Sequence, residues 1–176
     1  SSIVNGGIKI SPTLVKQGRK RANGRKILSN QASLDVRRLM RLVVKQGTGK
    51  KAKTEGYLLG GKTGTANKLQ GRGYSSSAKI SSFIGSFPMD SPKYTVLIIV
   101  DEPKGNEETF HYATGGWVAA PTVGRIVNRI GPILGIAPAP EVELDLPKIE
   151  KVRRRKIQSK KPQKLFKKVN WSLELN

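Results

Sequence analysis

Residues 60–65, with the sequence GGKTGT, combine glycine, lysine and threonine at a spacing that suits two unrelated chemistries. From Gly56 to Thr63 the chain satisfies the phosphate-loop pattern G-x-x-x-x-G-K-[ST], which indicates a nucleotide site. In an extended strand, the same residues would set Lys62 among positions without side chains. That arrangement suits the binding of an anionic, extended peptide along the strand.

A phosphate loop requires a buried strand before it and a helix that begins at its Lys-Thr pair. Residues 50–55 (KKAKTE) are too polar for a buried parallel strand, and residues 64–73 include three glycines, which disfavour a helix. The loop interior would be Tyr57 to Leu59, which is bulky where phosphate needs close approach of the backbone. The context therefore argues against a nucleotide site, and a phosphate-loop protein is kept only as the second alternative.

Residues 57–65 are instead predicted to form a β-strand. Because side chains alternate along a strand, one face would carry Leu58, Gly60, Lys62 and Gly64, and the other Tyr57, Leu59, Gly61, Thr63 and Thr65. Glycines weaken a strand, and their usual reason is the close approach of another backbone or of a ligand. The strand is therefore the candidate site.

Two further strands should pair with this one. Ala78 to Phe87 alternates in polarity, and Tyr94 to Asp101 is a nearly continuous apolar run. Such a run is typical of a central strand that is buried on both faces. The short, turn-rich link at residues 88–93 predicts an antiparallel hairpin, so the three strands should form a meander.

Two amphipathic helices should support the meander. The first is predicted from an N-cap at Ser33 to a stop at Gly47. Its core-facing stripe would be Val36, Leu39, Met40 and Val43, with Arg37, Arg38 and Arg41 on the other face. The second runs from Trp117 to Ile130, tolerates Pro121 in its first turn and ends at Gly131-Pro132. Helices packed on an antiparallel meander predict an α+β fold.

Net charge is the compositional outlier, since 33 Lys and Arg against 12 Asp and Glu give +21. Such a charge attracts polyanions. Aromatic residues make up only 6% of the chain and are not interleaved with the basic ones, as a base-stacking platform requires. Nucleic acid is therefore not the expected partner. A basic protein that binds nucleic acid or an anionic surface is the first alternative.

The chain has no cysteine and one histidine, His111, so we expect no metal and no cofactor. No run approaches the about 18 apolar residues of a membrane span. Residues 137–176 read as a proline-containing linker followed by a basic, disordered tail. This tail could contact an anionic membrane or cell wall.

Several motifs in a fixed order resemble the closing part of the transpeptidase domain of class B penicillin-binding proteins, most closely the septal, cell-division type of proteobacteria. They are residues 43–49 (VVKQGTG), 60–66 (GGKTGTA), 83–88, 101–105 (DEPKG) and 113–121 (ATGGWVAAP). The resemblance covers residues 1–136. It implies the C-terminal portion of a serine β-lactamase-like fold.

The resemblance also implies a chemistry for the strand. Members of the family attack the D-Ala-D-Ala end of a peptidoglycan stem peptide with a serine, and β-lactams trap the same serine. Lys62 would supply positive charge near the substrate carboxylate, and the Thr63 hydroxyl would bind that carboxylate. Gly64 would keep the strand clear for the nucleophile's helix. The backbone N–H of Thr65 would be one of two oxyanion donors.

The chain departs from the family pattern in one respect. The nucleophile motif S-x-x-K and the middle motif S-x-N should precede Lys62, and neither does. Ser76 to Lys79 (SSAK) matches S-x-x-K in letters, but it follows Lys62 and enters a strand. On a strand these two residues would point to opposite faces, so we do not expect Ser76 to be the nucleophile.

The chain is therefore expected to be the C-terminal part of a longer enzyme and to be inactive alone. Its expected partners are the N-terminal half of the transpeptidase domain, the stem peptide, β-lactams and division-complex proteins. The resemblance places the parent enzyme on the periplasmic face of the bacterial inner membrane, anchored by an N-terminal helix that precedes this sequence.

Overall fold

The computed structural model describes residues 1–15 and 24–138 of the 176-residue chain. The predicted basic tail lies outside these residues, as does most of the predicted linker. The described part contains two helices, two short 3-10 turns and five strands. They are β1 (Ile8–Lys9), β2 (Arg25–Lys26), α1 (Asn30–Lys45), the turn Lys50–Ala52, β3 (Gly60–Gln70), β4 (Gly73–Phe87), β5 (Tyr94–Asp101), the turn Glu107–Thr109 and α2 (Ala119–Ile133).

Strands β3, β4 and β5 form the predicted antiparallel meander, in that order. The register sets Lys62 of β3 beside Ile84 of β4, and Ile84 beside Leu97 of β5. The predicted strand at residues 57–65 begins later, at Gly60, and runs on to Gln70. The predicted hairpin of β4 and β5 is confirmed, and β5 has the predicted bounds.

Strand β5 is not the central strand, so that prediction is wrong. It lies at the edge of the described sheet, and β4 lies in the middle. Its side chains alternate: Val96 and Ile98 pack against the core, whereas Leu97 is 53% exposed and Ile99 is 61% exposed. One face of the strand is covered and the other is open, although both are apolar. An apolar run alone cannot distinguish a face packed within this chain from a face that needs another partner.

Helix α1 begins earlier than predicted. Its N-cap is Ser29, not Ser33, and the Ser29 hydroxyl accepts a hydrogen bond from the Ala32 N–H at 3.0 Å. Ser33 lies one turn inside the helix, where it is buried and donates to the Ile3 carbonyl at 2.6 Å. The predicted core stripe is also partly wrong, because Leu39 is 55% exposed.

Arg41, predicted on the solvent face of α1, is buried instead. Its Nη1 donates to the Leu59 carbonyl at 3.0 Å, immediately before β3 begins. A buried carbonyl without a donor is costly, and the guanidinium provides that donor. Arg41 therefore ties helix α1 to the entry of the candidate strand. Periodicity of apolar residues gives no signal for such a contact.

The core lies between the sheet and helix α2. Its fully buried side chains include Leu59, Phe83, Phe87, Val123 and Val127. Helix α2 begins at Ala119, so Pro121 falls in the first turn as predicted, whereas Trp117 precedes the helix. The predicted end at Gly131-Pro132 is too early, because the helix continues to Ile133. Among the described residues, no helix is long and apolar enough to cross a membrane.

One side chain of β3 reaches past β4 to the end of β5. Lys68 Nζ donates to Asp101 at 2.8 Å and to Glu102 at 2.7 Å. These two hydrogen bonds, that to Asp101 foremost, raise the pKa of Lys68. Because Asp101 is 61% exposed and Glu102 is 56% exposed, solvent screens the bridge and it contributes little to stability.

Candidate active site

Three elements around β3 hold residues 62–65 in place. Strand β4 pairs with the whole stretch, helix α1 lies against its start, and residues 113–116 cross one of its faces. A Cβ added at Gly60 would lie 3.1 Å from the backbone nitrogen of Arg41 and closer still to the Met89 side chain. This glycine is therefore needed for the approach of α1, as the sequence predicts for glycines within a strand.

Lys62 and Gly64 lie on the open face of the sheet. Lys62 is exposed, and its Nζ donates to the Thr63 carbonyl at 2.7 Å. Gly64 pairs with Ser82, and a Cβ at Gly64 would lie 2.5 Å from the Ser82 hydroxyl. The glycine thus leaves room for Ser82, and the pair presents a flat surface beside the lysine.

Thr63 lies on the other face of β3. Its hydroxyl is 2.7 Å from the hydroxyl of Thr48, so one of the two donates to the other. Thr48 follows α1 in the Gly47-Thr48-Gly49 turn, where the Gly49 N–H donates to the Val43 carbonyl at 3.0 Å. We did not predict a role for Thr48 from the sequence. The signal was the position of its turn directly after a helix that supports the strand.

The segment at residues 113–116 covers the rest of this face. The Gly115 N–H donates to the Thr65 hydroxyl at 3.0 Å, and the Ser81 hydroxyl donates to the Ala113 carbonyl at 2.5 Å. A Cβ at Gly115 would lie 2.5 Å from the Gly64 carbonyl oxygen and would overlap that of Ser82. A Cβ at Gly116 would likewise overlap the Thr48 carbonyl oxygen. Both glycines therefore permit this segment to pack directly on neighbouring backbone.

Strand β3, like β5, is an edge of the described sheet, because β4 pairs with only one side of it among the described strands. An edge strand presents unpaired backbone N–H and C=O groups that can pair with an extended peptide. The edge therefore offers backbone hydrogen bonds next to the Lys62 charge and the Thr63 hydroxyl. This combination suits an extended peptide with a carboxylate.

Several alternatives fail on this geometry. Residues 60–70 form one continuous strand, so no helix begins at Lys62 and the phosphate-loop hypothesis is wrong. Ser76 and Lys79 both lie in strand β4, which confirms that this letter match to S-x-x-K is not on a helix. Within residues 1–15 and 24–138, no group of three or more acidic, histidine or cysteine side chains could hold a metal ion.

Known proteins are similar to this chain in both sequence and fold. Residues 1–128 match the penicillin binding protein transpeptidase domain family. The chain is 41% identical over 147 residues to the probable peptidoglycan D,D-transpeptidase FtsI of Caulobacter vibrioides, a match that covers 77% of this chain and 25% of that protein. It is 38% identical to the stage V sporulation protein D of Bacillus subtilis, covering 78% and 22%. The chain thus spans about a quarter of the length of these relatives.

Solved structures agree with the sequence relatives. The transpeptidase domain of Burkholderia pseudomallei penicillin-binding protein 3 superposes with a TM-score of 0.68 at 34% identity, covering 78% of this chain and 40% of the other. Penicillin-binding protein 3 of Mycobacterium tuberculosis, complexed with ampicillin, gives 0.69 at 27% identity, covering 82% and 35%. The fold and the family implied by the sequence motifs are thus confirmed. This chain belongs to the penicillin-binding protein transpeptidase family.

Proposed function

We propose that this chain supplies the Lys-Thr-Gly strand to the active site of a peptidoglycan D,D-transpeptidase, while the serine nucleophile comes from another part of the transpeptidase domain. The hydrogen bonds that hold the strand around residues 62–65 carry the proposal. Arg41, Thr48 and Gly115 fix the strand through the Leu59 carbonyl, the Thr63 hydroxyl and the Thr65 hydroxyl. Such preorganisation is what a binding site for a developing charge requires.

The proposed chemistry is acyl transfer. A serine hydroxyl attacks the carbonyl carbon between the two terminal D-alanines of a stem peptide, and the terminal D-alanine leaves as the free amine. An amine of a neighbouring strand then attacks the acyl-enzyme and restores the serine. A β-lactam reacts with the same serine but releases no leaving group, because its ring opens.

Each residue of the strand has a part in this reaction. The Lys62 ammonium attracts the terminal carboxylate, and the Thr63 hydroxyl donates a hydrogen bond to it. Gly64 leaves the surface open on the Lys62 face. The Thr65 backbone N–H donates to the oxyanion as the carbonyl becomes tetrahedral.

The open face of the sheet supports the proposal that another part of the transpeptidase domain packs on it. Ile84, Leu97 and Ile99 are exposed there and adjoin Lys62 and Gly64 through the strand register. A contiguous apolar surface of this kind marks an interaction site. We assign it to the part of the domain that carries S-x-x-K, which brings the serine to the same face as Lys62. We also propose that the parent enzyme associates with division-complex proteins at the periplasmic face of the inner membrane.

The Thr63–Thr48 contact gives a test. The chain would be combined with the part of the domain that carries S-x-x-K, and the rate of acylation by a fluorescent penicillin would be measured. Thr63→Val removes a hydrogen bond to a carboxylate, so we expect a loss of about 10- to 100-fold. Thr48→Val removes only the group that orients Thr63, so we expect about 2- to 10-fold.

Two further variants complete this test. Thr63→Ser keeps the hydroxyl and should retain most of the activity. Thr122→Val in helix α2 changes a threonine to the same isostere away from the strand and should leave the rate unchanged. If Thr63→Val is acylated at the rate of the unchanged chain, the proposed carboxylate contact is wrong.

A further inference from the structure

Ser82 presents a hydroxyl on the open face of the sheet, directly beside Gly64. The strand register pairs these two residues, and the Ser82 hydroxyl oxygen lies 2.5 Å from the position that a Gly64 Cβ would occupy. The oxygen therefore fills the space that a side chain at Gly64 would need. Lys62 lies two residues before Gly64 on the same face, so the hydroxyl and the ammonium border one patch.

The Ser82 hydroxyl has no hydrogen-bond partner among the residues that the structure describes. Two neighbouring serines of β4 differ in that respect. The Ser81 hydroxyl donates to the Ala113 carbonyl, and the Ser86 hydroxyl lies 2.9 Å from that of Thr95. Ser81 and Ser86 are buried, whereas Ser82 is only partly buried. Of these three serines, Ser82 alone keeps its hydroxyl available to another segment.

Apolar side chains flank Ser82 along β4 and across to β5. Ile80 and Ile84 lie on the same face of β4, and Ile99 is the residue of β5 that pairs with Ser82. Ile84 is 37% exposed and Ile99 is 61% exposed. A hydroxyl that becomes buried there without a partner destabilises the covered state, whereas alanine would not. The hydroxyl therefore indicates that the segment covering this face offers it a hydrogen bond.

Helix α1 covers one end of the same face. A Cβ at Gly60, which faces the same way as Lys62, would lie 3.1 Å from the backbone of α1. Beyond the helix, Gly64 is the lowest point of the face because it has no side chain. Another backbone can approach the sheet most closely at such a position. The Ser82 hydroxyl is the polar group that this backbone would meet.

We propose that Ser82 is a positioning residue for acylation, whose hydroxyl hydrogen-bonds a backbone group of the segment that carries S-x-x-K where that segment crosses Gly64. This inference rests on the proposed function, which assigns that segment to the open face. A hydroxyl both donates and accepts, so it can bind either a backbone N–H or a carbonyl. The bond holds the nucleophile's segment at a fixed height over β3, next to Lys62. Ser82 itself touches neither the stem peptide nor the penicillin.

The kinetics of acylation separate positioning from substrate binding. The chain would be combined with an excess of the part that carries S-x-x-K. Stopped-flow measurement with a fluorescent penicillin then gives the acylation rate constant and the dissociation constant of the complex that precedes it. Ser82→Ala should lower the rate constant about 3- to 10-fold, the size expected for one neutral hydrogen bond, and leave the dissociation constant unchanged. Ser82→Thr keeps the hydroxyl and should retain most of the rate.

Ser86→Ala is the matched control on the same strand and the same face. It removes the hydrogen bond to Thr95 within the chain, so it should lower the Tm by a few degrees and leave the acylation rate unchanged. Ser82→Ala removes no hydrogen bond between described residues, so it should keep the Tm and lose rate. A general effect of serine-to-alanine substitution on the fold would change both variants in the same direction.

A thiol at position 82 shows whether the added part lies over this residue. The chain has no cysteine, so Ser82→Cys carries a single thiol. A maleimide should modify it in the chain alone, as intact mass would show, and the added part should slow the modification strongly. Tyr74→Cys replaces a side chain that is 78% exposed beside the turn between β3 and β4, and it should be modified equally in both samples.

Three results would overturn this role of Ser82. They are an unchanged acylation rate in Ser82→Ala, a rate in Ser82→Thr as low as in Ser82→Ala, and equal modification of Ser82→Cys with and without the added part. The first two leave the proposed acyl transfer standing, because the same assay measures acylation of the unchanged chain and its dependence on Thr63. A combined domain that penicillin does not acylate would overturn the proposed function and the role of Ser82 together.

Discussion

Lys62→Met is expected to slow acylation by penicillin at least about a hundredfold when the chain is combined with the part of the domain that carries S-x-x-K. The lysine is the only charged side chain among residues 60–67, so methionine leaves no positive charge on this stretch to attract the terminal carboxylate. The expected loss is comparable to that of one oxyanion donor, about 100- to 1,000-fold. Loss of its charge next to the nucleophile adds to this effect. Stopped-flow measurement with a fluorescent penicillin gives the rate constant directly.

The matched control for this substitution is Lys79→Met. Lys79 lies on the neighbouring strand β4 and pairs with Asn67, beyond residues 62–65. Because Lys62 is exposed, neither variant should change the Tm by more than a few degrees. Equal rates for the two variants would mean that the Lys62 charge has no part in acylation.

Gly115→Ala is expected to lower the stability of the chain by disrupting the packing of residues 113–116 on β3 and β4. The added methyl group would overlap the Ser82 carbonyl oxygen and lie 2.5 Å from the Gly64 carbonyl oxygen. Both contacts are backbone atoms of paired strands, so they cannot move aside as a flexible side chain would. We expect a loss of about 3 kcal/mol, which lowers the Tm by about 6–12 °C for a chain of this size.

Gly73→Ala provides the comparison. A Cβ at Gly73 meets nothing within 4 Å, so this substitution should change the Tm little. Thermal unfolding followed by circular dichroism measures both variants. A Gly115→Ala chain as stable as the unchanged chain would show that residues 113–116 do not pack on β3 and β4 as described.

The strands could be predicted from the sequence more accurately than their surroundings. Tyr94–Asp101 has the predicted bounds because turn-rich links on both sides of the apolar run limit where the strand can begin and end. Its position at the sheet edge could not be predicted, because apolar side chains on an open face look the same in sequence as those in a core. The open face can be recognised as an interaction surface only when the strand register places Ile84 and Leu97 beside Lys62.

The supporting contacts of the site were the least predictable part. Arg41 binds the Leu59 carbonyl across 18 residues, and Thr48 meets Thr63 across 15. Such contacts depend on tertiary placement, which local patterns do not carry. Lys62 could be singled out because a glycine-rich strand with one lysine is unusual in itself, whereas Thr63, Gly64 and Thr65 were implied by the resemblance of residues 60–66 to the family motif. Their catalytic roles stay predictions.

The most direct test of the account is the intact mass of the chain after incubation with excess penicillin, alone and together with the part of the transpeptidase domain that carries S-x-x-K. We predict an unchanged mass for the chain in both samples. A penicilloyl adduct should form on the serine of the added part, at a rate that depends on Lys62. A covalent adduct on this chain, whether at Ser76 or at another serine, would contradict the claim that it supplies the Lys-Thr-Gly strand without the nucleophile.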